Sequence, residues 1–176
     1  MHNFSLQKSF EILERTPSVL SQLLNGLSSD WTSVNEGGET WSAYDVIGHL
    51  IHGDQTDWIV RIELILSDKV DKRFVPFNRV AQFESSKGKS LNQLLEEFKL
   101  IRMSNLKKLK TLNIKDSDLT KKGIHPTFGE VTLVQHISTW VVHDLDHLSQ
   151  ISRVMAKQYN DEVGPWIDFL KILRVF

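Results

Sequence analysis

The sequence predicts an all-α protein, a four-helix bundle with long connections. Three observations lead there. Apolar residues recur at three- and four-residue spacing over four separate stretches, the period of a helix that buries one face. Three of those stretches open on a Ser or Thr followed three positions later by a residue that can bond back to it. The chain has 176 residues, with no internal repeat, low-complexity tract or composition shift that would mark a second domain. One domain spanning 1–176, built from four long amphipathic helices, is a bundle.

The first helix runs through Leu6, Phe10, Leu13, Pro17, Leu20, Leu24 and Leu27. Pro17 lacks an N–H and disfavours helix at the residue before it, which predicts a kink near Thr16. Gly37 and Gly38 close the following loop. Ser42 is the N-cap of a second helix over 42–67, with Asp45 at its third position and Trp41 placed to staple onto Val46. Its apolar face is Ile47, Leu50, Ile51, Trp58, Ile62 and Ile65. Residues 68–89 lack periodicity and form a crossing loop with room for a short helical piece. Ser90 and Gln93 cap a third helix over 90–112, striped by Leu91, Leu94, Leu95, Phe98, Ile101, Leu109 and Leu112. Residues 113–130 are a second connection rich in turn formers. Thr132 and Gln135 cap a fourth helix that runs to about 158. After Gly164 and Pro165, "WIDFLKILRVF" is a short closing helix. Two such long connections imply that not all neighbouring helices are simple antiparallel hairpins.

Composition excludes several functions. There is no cysteine, so neither disulfides nor thiolate metal sites are available, and any metal must be held by nitrogen and oxygen. Net charge is -1, from 21 basic and 22 acidic side chains, which argues against a nucleic-acid surface. The N-terminus lacks the apolar core of a signal peptide, and no run approaches the ~20 apolar residues of a membrane span. No membrane partner is expected, and the location expected is cytoplasmic.

The chemistry concentrates in "WVVHDLDHLSQ", residues 140–150. His143 and His147 stand four apart, about one turn, so their rings share a face. Seven histidines give about 0.3 such pairs by chance in a chain this long, so the spacing alone is weak and two half-buried histidines remain the alternative. The same stripe carries His136, Trp140, Gln150, Ile151 and Val154, a partly apolar, bundle-facing surface where a charged imidazole is costly and a neutral one bound to metal is not. Helix 2 offers "GHLIHGD", with His49 among apolar neighbours and His52 three residues on. Three histidines from two helices leave a coordination position open, as in a catalytic site. The di-iron carboxylate alternative needs Glu-x-x-His, and no glutamate here has a histidine three residues on.

"TWSAYDVIGHL", "HPTFGEVTL" and "TWVVHDLDHLSQI", together with "ILERTPSVLSQLL" and "QYNDEVGPW", resemble the DinB superfamily of bacterial metal-binding bundles, which includes the YfiT-like proteins and the bacillithiol S-transferases. The resemblance covers nearly the whole chain. It implies up-down-down-up topology and a divalent metal, nickel or zinc, held by His49, His143 and His147. It also implies a small-molecule substrate, with either hydrolysis or transfer of a low-molecular-weight thiol as the reaction and thiol transfer favoured. A non-catalytic metal-bearing module is the other class. A homodimer is expected from the same source and from the apolar closing segment.

The chain departs from many relatives at His52, where they carry aspartate, and at His136, where they carry an aliphatic residue. His136 is expected to pack in the core or behind the site. Asp54, five residues from His49, points away on an ideal helix. Asp146 caps or screens rather than ligates. His125 sits on a loop near the bundle end, as a pocket or a surface-turn residue. Trp41, Trp58, Trp140 and Trp166 are expected in the core.

Overall fold

The computed structural model describes residues 4–174. Two helices in line make the first bundle element, α1 (Leu6–Leu13) and α2 (Thr16–Leu24). The joint falls at Glu14 and Arg15, which leaves Pro17 in the first turn of α2, where its missing N–H is tolerated. A single turn, α3 (Ser29–Thr32), precedes α4 (Ala43–Thr56) and α5 (Trp58–Leu66), which make the second element. After the short α6 (Ala81–Ser85) come α7 (Leu91–Thr111) and, last, α8 (Leu133–Lys157). The capping boxes at Ser42, Ser90 and Thr132 are all formed; at Ser90 the Gln93 amide oxygen accepts the Ser90 N–H at 2.7 Å.

Side-chain contacts give the topology. Tyr44, early in α4, bonds the Lys89 carbonyl just before α7, and Asn105, late in α7, bonds the Asp54 carbonyl late in α4, so these two run parallel. Phe10, early in the first element, lies under Lys110 late in α7, and Leu24 at its end clusters with Leu94 early in α7, so the first element runs against α7. Trp58 packs on Trp140 and His49 on His143, so α4–α5 runs against α8. The result is up-down-down-up. The core is two apolar clusters. One gathers Phe10, Leu13, Trp58, Ile62 and Trp140; the other gathers Leu20, Leu24, Ile47, Leu50, Phe98 and Ile151. Among the described residues no helix is long and apolar enough to cross a membrane.

Three segments differ from the sequence expectation. The second helix is broken at Asp57 (φ -113, ψ -74). There Arg61 Nε pairs with the Asp57 carboxylate at 2.6 Å, while Asn105 takes the Asp54 carbonyl at 2.7 Å, so side chains hold both flanks of the bend. The second connection contains an antiparallel hairpin, β1 (Lys122–His125) and β2 (Gly129–Thr132), whose turn needs the left-handed Gly129 (φ 71). The closing segment is not a regular helix but two 3-10 turns, Gly164–Phe169 and Lys171–Leu173. Leu173 is buried, whereas Trp166, expected in the core, is 68% exposed. The last two residues of that segment, Val175 and Phe176, lie outside the described residues.

The crossing strand between α5 and α7 straps the bundle end. Arg61 Nη2 donates to the Val75 carbonyl at 3.1 Å, Phe74 N to the Ile124 carbonyl at 2.8 Å, and Tyr44 O–H to the Ser86 carbonyl at 2.6 Å. Gly48 lets α6 lie close on α4, since a Cβ there would overlap the Ser86 hydroxyl.

Candidate metal centre

His49 projects from the middle of α4, and His143 and His147 from successive turns of α8. The antiparallel crossing of these helices brings the three Nε2 atoms together. His143 Nε2 lies 3.2 Å from His49 Nε2 and 3.0 Å from His147 Nε2. One donor atom from each of the three residues lies within 4.8 Å of the others. His49 and His147 are buried and His143 is half-buried.

These distances fit an ion. Two imidazole nitrogens, each ~2.0–2.1 Å from one metal, sit about 2.9–3.4 Å apart. The tautomers fit as well. Gln150 Oε1 lies 2.7 Å from His147 Nδ1, which must donate, so His147 Nε2 presents a lone pair to the centre. One proton on His143 Nε2 could serve one of its two close contacts well, not both. A divalent cation would satisfy all three lone pairs. The other nitrogens of His49 and His143, their Nδ1 atoms, are buried without a protein partner.

The surroundings keep the rings neutral. Burial, with the neighbouring histidines, pushes His143 down to about 2 and His49 down to about 3. Burial also lowers His147, against the opposing pull of Gln150. Neutral imidazole is the form that binds metal. His136 is pushed down to about 4 by burial, its Nε2 set 3.2 Å from the Trp58 carbonyl.

Depressed histidine values make the metal-free protein acid-sensitive. An unfolded histidine takes its proton near 6.5, so the stability that these rings contribute is present above that pH and is lost as pH falls. Asp54 and Asp57, raised to about 6 by burial, act in the opposite sense, because the folded chain protonates them first. Burial lowers those four histidines and raises only two aspartates, so the histidines prevail and the metal-free protein should lose stability as pH falls below about 6.5. Urea midpoints measured at pH 7, 6 and 5 check this, and a midpoint that rises on acidification would contradict it.

The other predicted residues are placed elsewhere. His52 lies against Phe77, ring centroids 4.8 Å apart, and is not one of the converging three. His136 is a core residue between Trp58 and Phe74. His125 caps its own hairpin, its Nδ1 accepting from Thr127 N at 3.1 Å. Asp146 is exposed. Lys121 and Lys122 pair with Asp118 and Glu130. His49→Ala should therefore lose the metal and His52→Ala should keep it, as read by elemental analysis after reconstitution. The reverse pattern would place the ion on the other face of α4.

Several functional residues were not expected. Trp41 is not plain core: its ring sits 4.8 Å from that of His49 and stacks over His147 at 6.5 Å. Phe77, from the strap, meets the His49 ring edge-on at 5.4 Å, and Phe83 meets Trp41. Trp58 closes the His143 side at 4.9 Å. Below the histidines lies a buried ionic group: Arg102 bonds Asp54 through Nε at 2.7 Å and Asp144 through Nη2 at 3.0 Å. A signal for it existed. Arg102 stands four residues from both Phe98 and Leu106, on the apolar stripe.

A family model described as the DinB superfamily matches residues 12–151. Protein YuaE of Bacillus subtilis (strain 168), described as uncharacterized, is 26% identical over 144 residues, covering 76% of this chain and 89% of YuaE. Among solved structures, YfiT from Bacillus subtilis superposes with a TM-score of 0.71 at 17% identity, covering 90% of this chain and 91% of YfiT. YfiT is described as "a probable metal-dependent hydrolase with an unusual four-helix bundle topology". At that identity the likeness establishes the shared fold.

Proposed function

Because the chain belongs to the DinB superfamily, we propose that it is a divalent-metal enzyme that transfers a low-molecular-weight thiol to an electrophilic small molecule. The observation that carries this is the convergence on one point of three neutral Nε2 donors, and only three among the described residues. Nickel or zinc suits imidazole donors. Bound there, the ion would supply Lewis acidity strong enough to deprotonate a coordinated thiol near neutral pH.

The chain's own residues favour thiol transfer over hydrolysis. Asp54 and Asp144, the buried carboxylates on the ligand-bearing helices near the site, are both committed to Arg102. Neither is free to act as the base that would activate water. The rings that flank the histidines are Trp41, Trp58 and Phe77, an apolar surround suited to an aromatic or alkyl electrophile. With no cysteine in the chain, the sulfur arrives with a cosubstrate. Gln150 holds His147 in the donor tautomer throughout.

The metal-loaded protein should conjugate a small thiol to a haloarene, and His143→Ala should abolish the reaction. The assay pairs several thiols with several electrophiles and runs ester and amide substrates without thiol alongside. Ester turnover without thiol, together with no conjugation, would favour the metal-dependent hydrolase, the activity ascribed to YfiT. Silence in both with metal fully bound would favour a metal-bearing binding module.

A further inference from the structure

We propose that Arg102, with Asp54 and Asp144, is the positioning device of the metal centre: α7 and α1, which carry no ligand, set through it the angular position of the two helices that do. This rests on the metal site proposed above.

All three side chains are at most 2% exposed. Every guanidinium N–H is used. Nε and Nη2 donate to the Asp54 carboxylate at 2.7 and 3.0 Å, Nη2 also donates to Asp144 Oδ1 at 3.0 Å, and Nη1 donates to Asp144 Oδ2 and, at 3.2 Å, to the Leu13 carbonyl of α1. Burial works against the charge, yet the two carboxylates outweigh it and hold the Arg102 pKa above its usual value. A planar fork bidentate to two carboxylates fixes direction as well as distance. Those carboxylates belong to α4 and α8. Asp144 is the residue after His143, and Asp54 is five beyond His49.

The reason for such a device is tolerance. An Nε2 atom stands roughly 6–7 Å from its helix axis, so a 10° roll of the helix moves it about 1 Å. Apolar side chains repack through a slip of that size, whereas metal–ligand distances hold to about 0.2 Å. Stability does not require the triad, because a buried ionic group is commonly no better than well-packed apolar residues of its volume. What the triad adds is a unique angular setting at the point where Trp140, beneath Arg102 at 5.1 Å, and the ligand histidines share α8.

The test compares wild type with two variants, the triple Asp54→Leu/Arg102→Met/Asp144→Leu and the single Arg102→Lys, whose point charge cannot fork. Zinc and nickel affinities are read by competition with a chelating dye, and urea midpoints on the metal-free proteins. We expect the triple variant to fold with a midpoint at or above wild type and to bind metal 10–100-fold more weakly, the usual loss when groups behind the ligands are removed. Arg102→Lys should weaken binding as well. Wild-type affinity in either folded variant would overturn the proposal. If the triple variant does not fold, Arg102→Lys decides, and failure of both to fold would show a purely structural role and equally overturn it. Wild-type protein that binds no metal would instead sink the metal site itself.

Discussion

His147→Ala should yield a folded protein that retains almost none of the single metal equivalent expected on wild type. Removing this ring takes away one of three donors and also the one whose tautomer is fixed from outside, by Gln150 at 2.7 Å. The two nitrogens left, on His49 and His143, have no protein group on their Nδ1 atoms to hold them. Altering groups behind a ligand already costs 10–100-fold in affinity, so losing a ligand should cost at least ~100-fold. The fold should survive, because the ring is replaced by a smaller neutral group and the caps and core of α8 are untouched. Native mass spectrometry after reconstitution with nickel and zinc gives the answer directly. One equivalent still bound to the variant would place the ion elsewhere.

The largest loss of stability should come from Arg102→Met alone. Methionine fills much of the arginine volume but leaves Asp54 and Asp144 facing each other with no cation, both essentially without exposure. Breaking a buried ionic group from one side costs about 3–5 kcal/mol. In a domain of this size that lowers the melting temperature by roughly 10 °C. Without the guanidinium Asp54 takes up a proton more readily than in wild type, so the deficit should shrink as pH falls from 7.5 towards about 6, below which wild-type Asp54 is protonated too. Thermal melts of wild type and variant at pH 7.5 and 5.5 measure both effects. A loss below about 1 kcal/mol, or a loss independent of pH, would mean that the two aspartates are not buried against this guanidinium.

Much of this architecture was legible in the residue order. The stripes from Leu6 to Leu24, from Ile47 to Ile65 and from Leu91 to Leu109 mark their helices, and Ser42, Ser90 and Thr132 begin theirs where the capping chemistry says. The first element divides just before Pro17. The converging histidines are those that spacing and resemblance had singled out.

What escaped depends on contacts between distant segments. The hairpin strands are four residues long, too short to show a period, and β1 is held partly by the strap through Phe74 and Lys72. The break at Asp57 is flanked by the hydrogen bond from Asn105 to the Asp54 carbonyl, 51 residues away in sequence. The apolar stripe places Arg102 inward but does not say that Asp54 and Asp144 meet it there, and no local pattern shows that Trp41 and Phe77 lie against the same ring. Trp166 stays exposed because its short segment is anchored instead through Leu173.

The contact between His49 and His143 spans 94 residues, whereas His143 and His147 are one turn apart. Two donors can thus meet in an isolated α8, but the third joins them only once more than half of the chain has been drawn together. Closing a loop that long costs roughly 4–5 kcal/mol of chain entropy. A complete set of donors consequently exists only after the last helix docks, so an ion bound there would enter late in folding and selectively hold the assembled bundle. Metal supply would then act on the lifetime of the native protein as well as on any chemistry at the site. Without the ion, α8 would be held by its apolar contacts and by Arg102 against Asp144, and would resist acid less well.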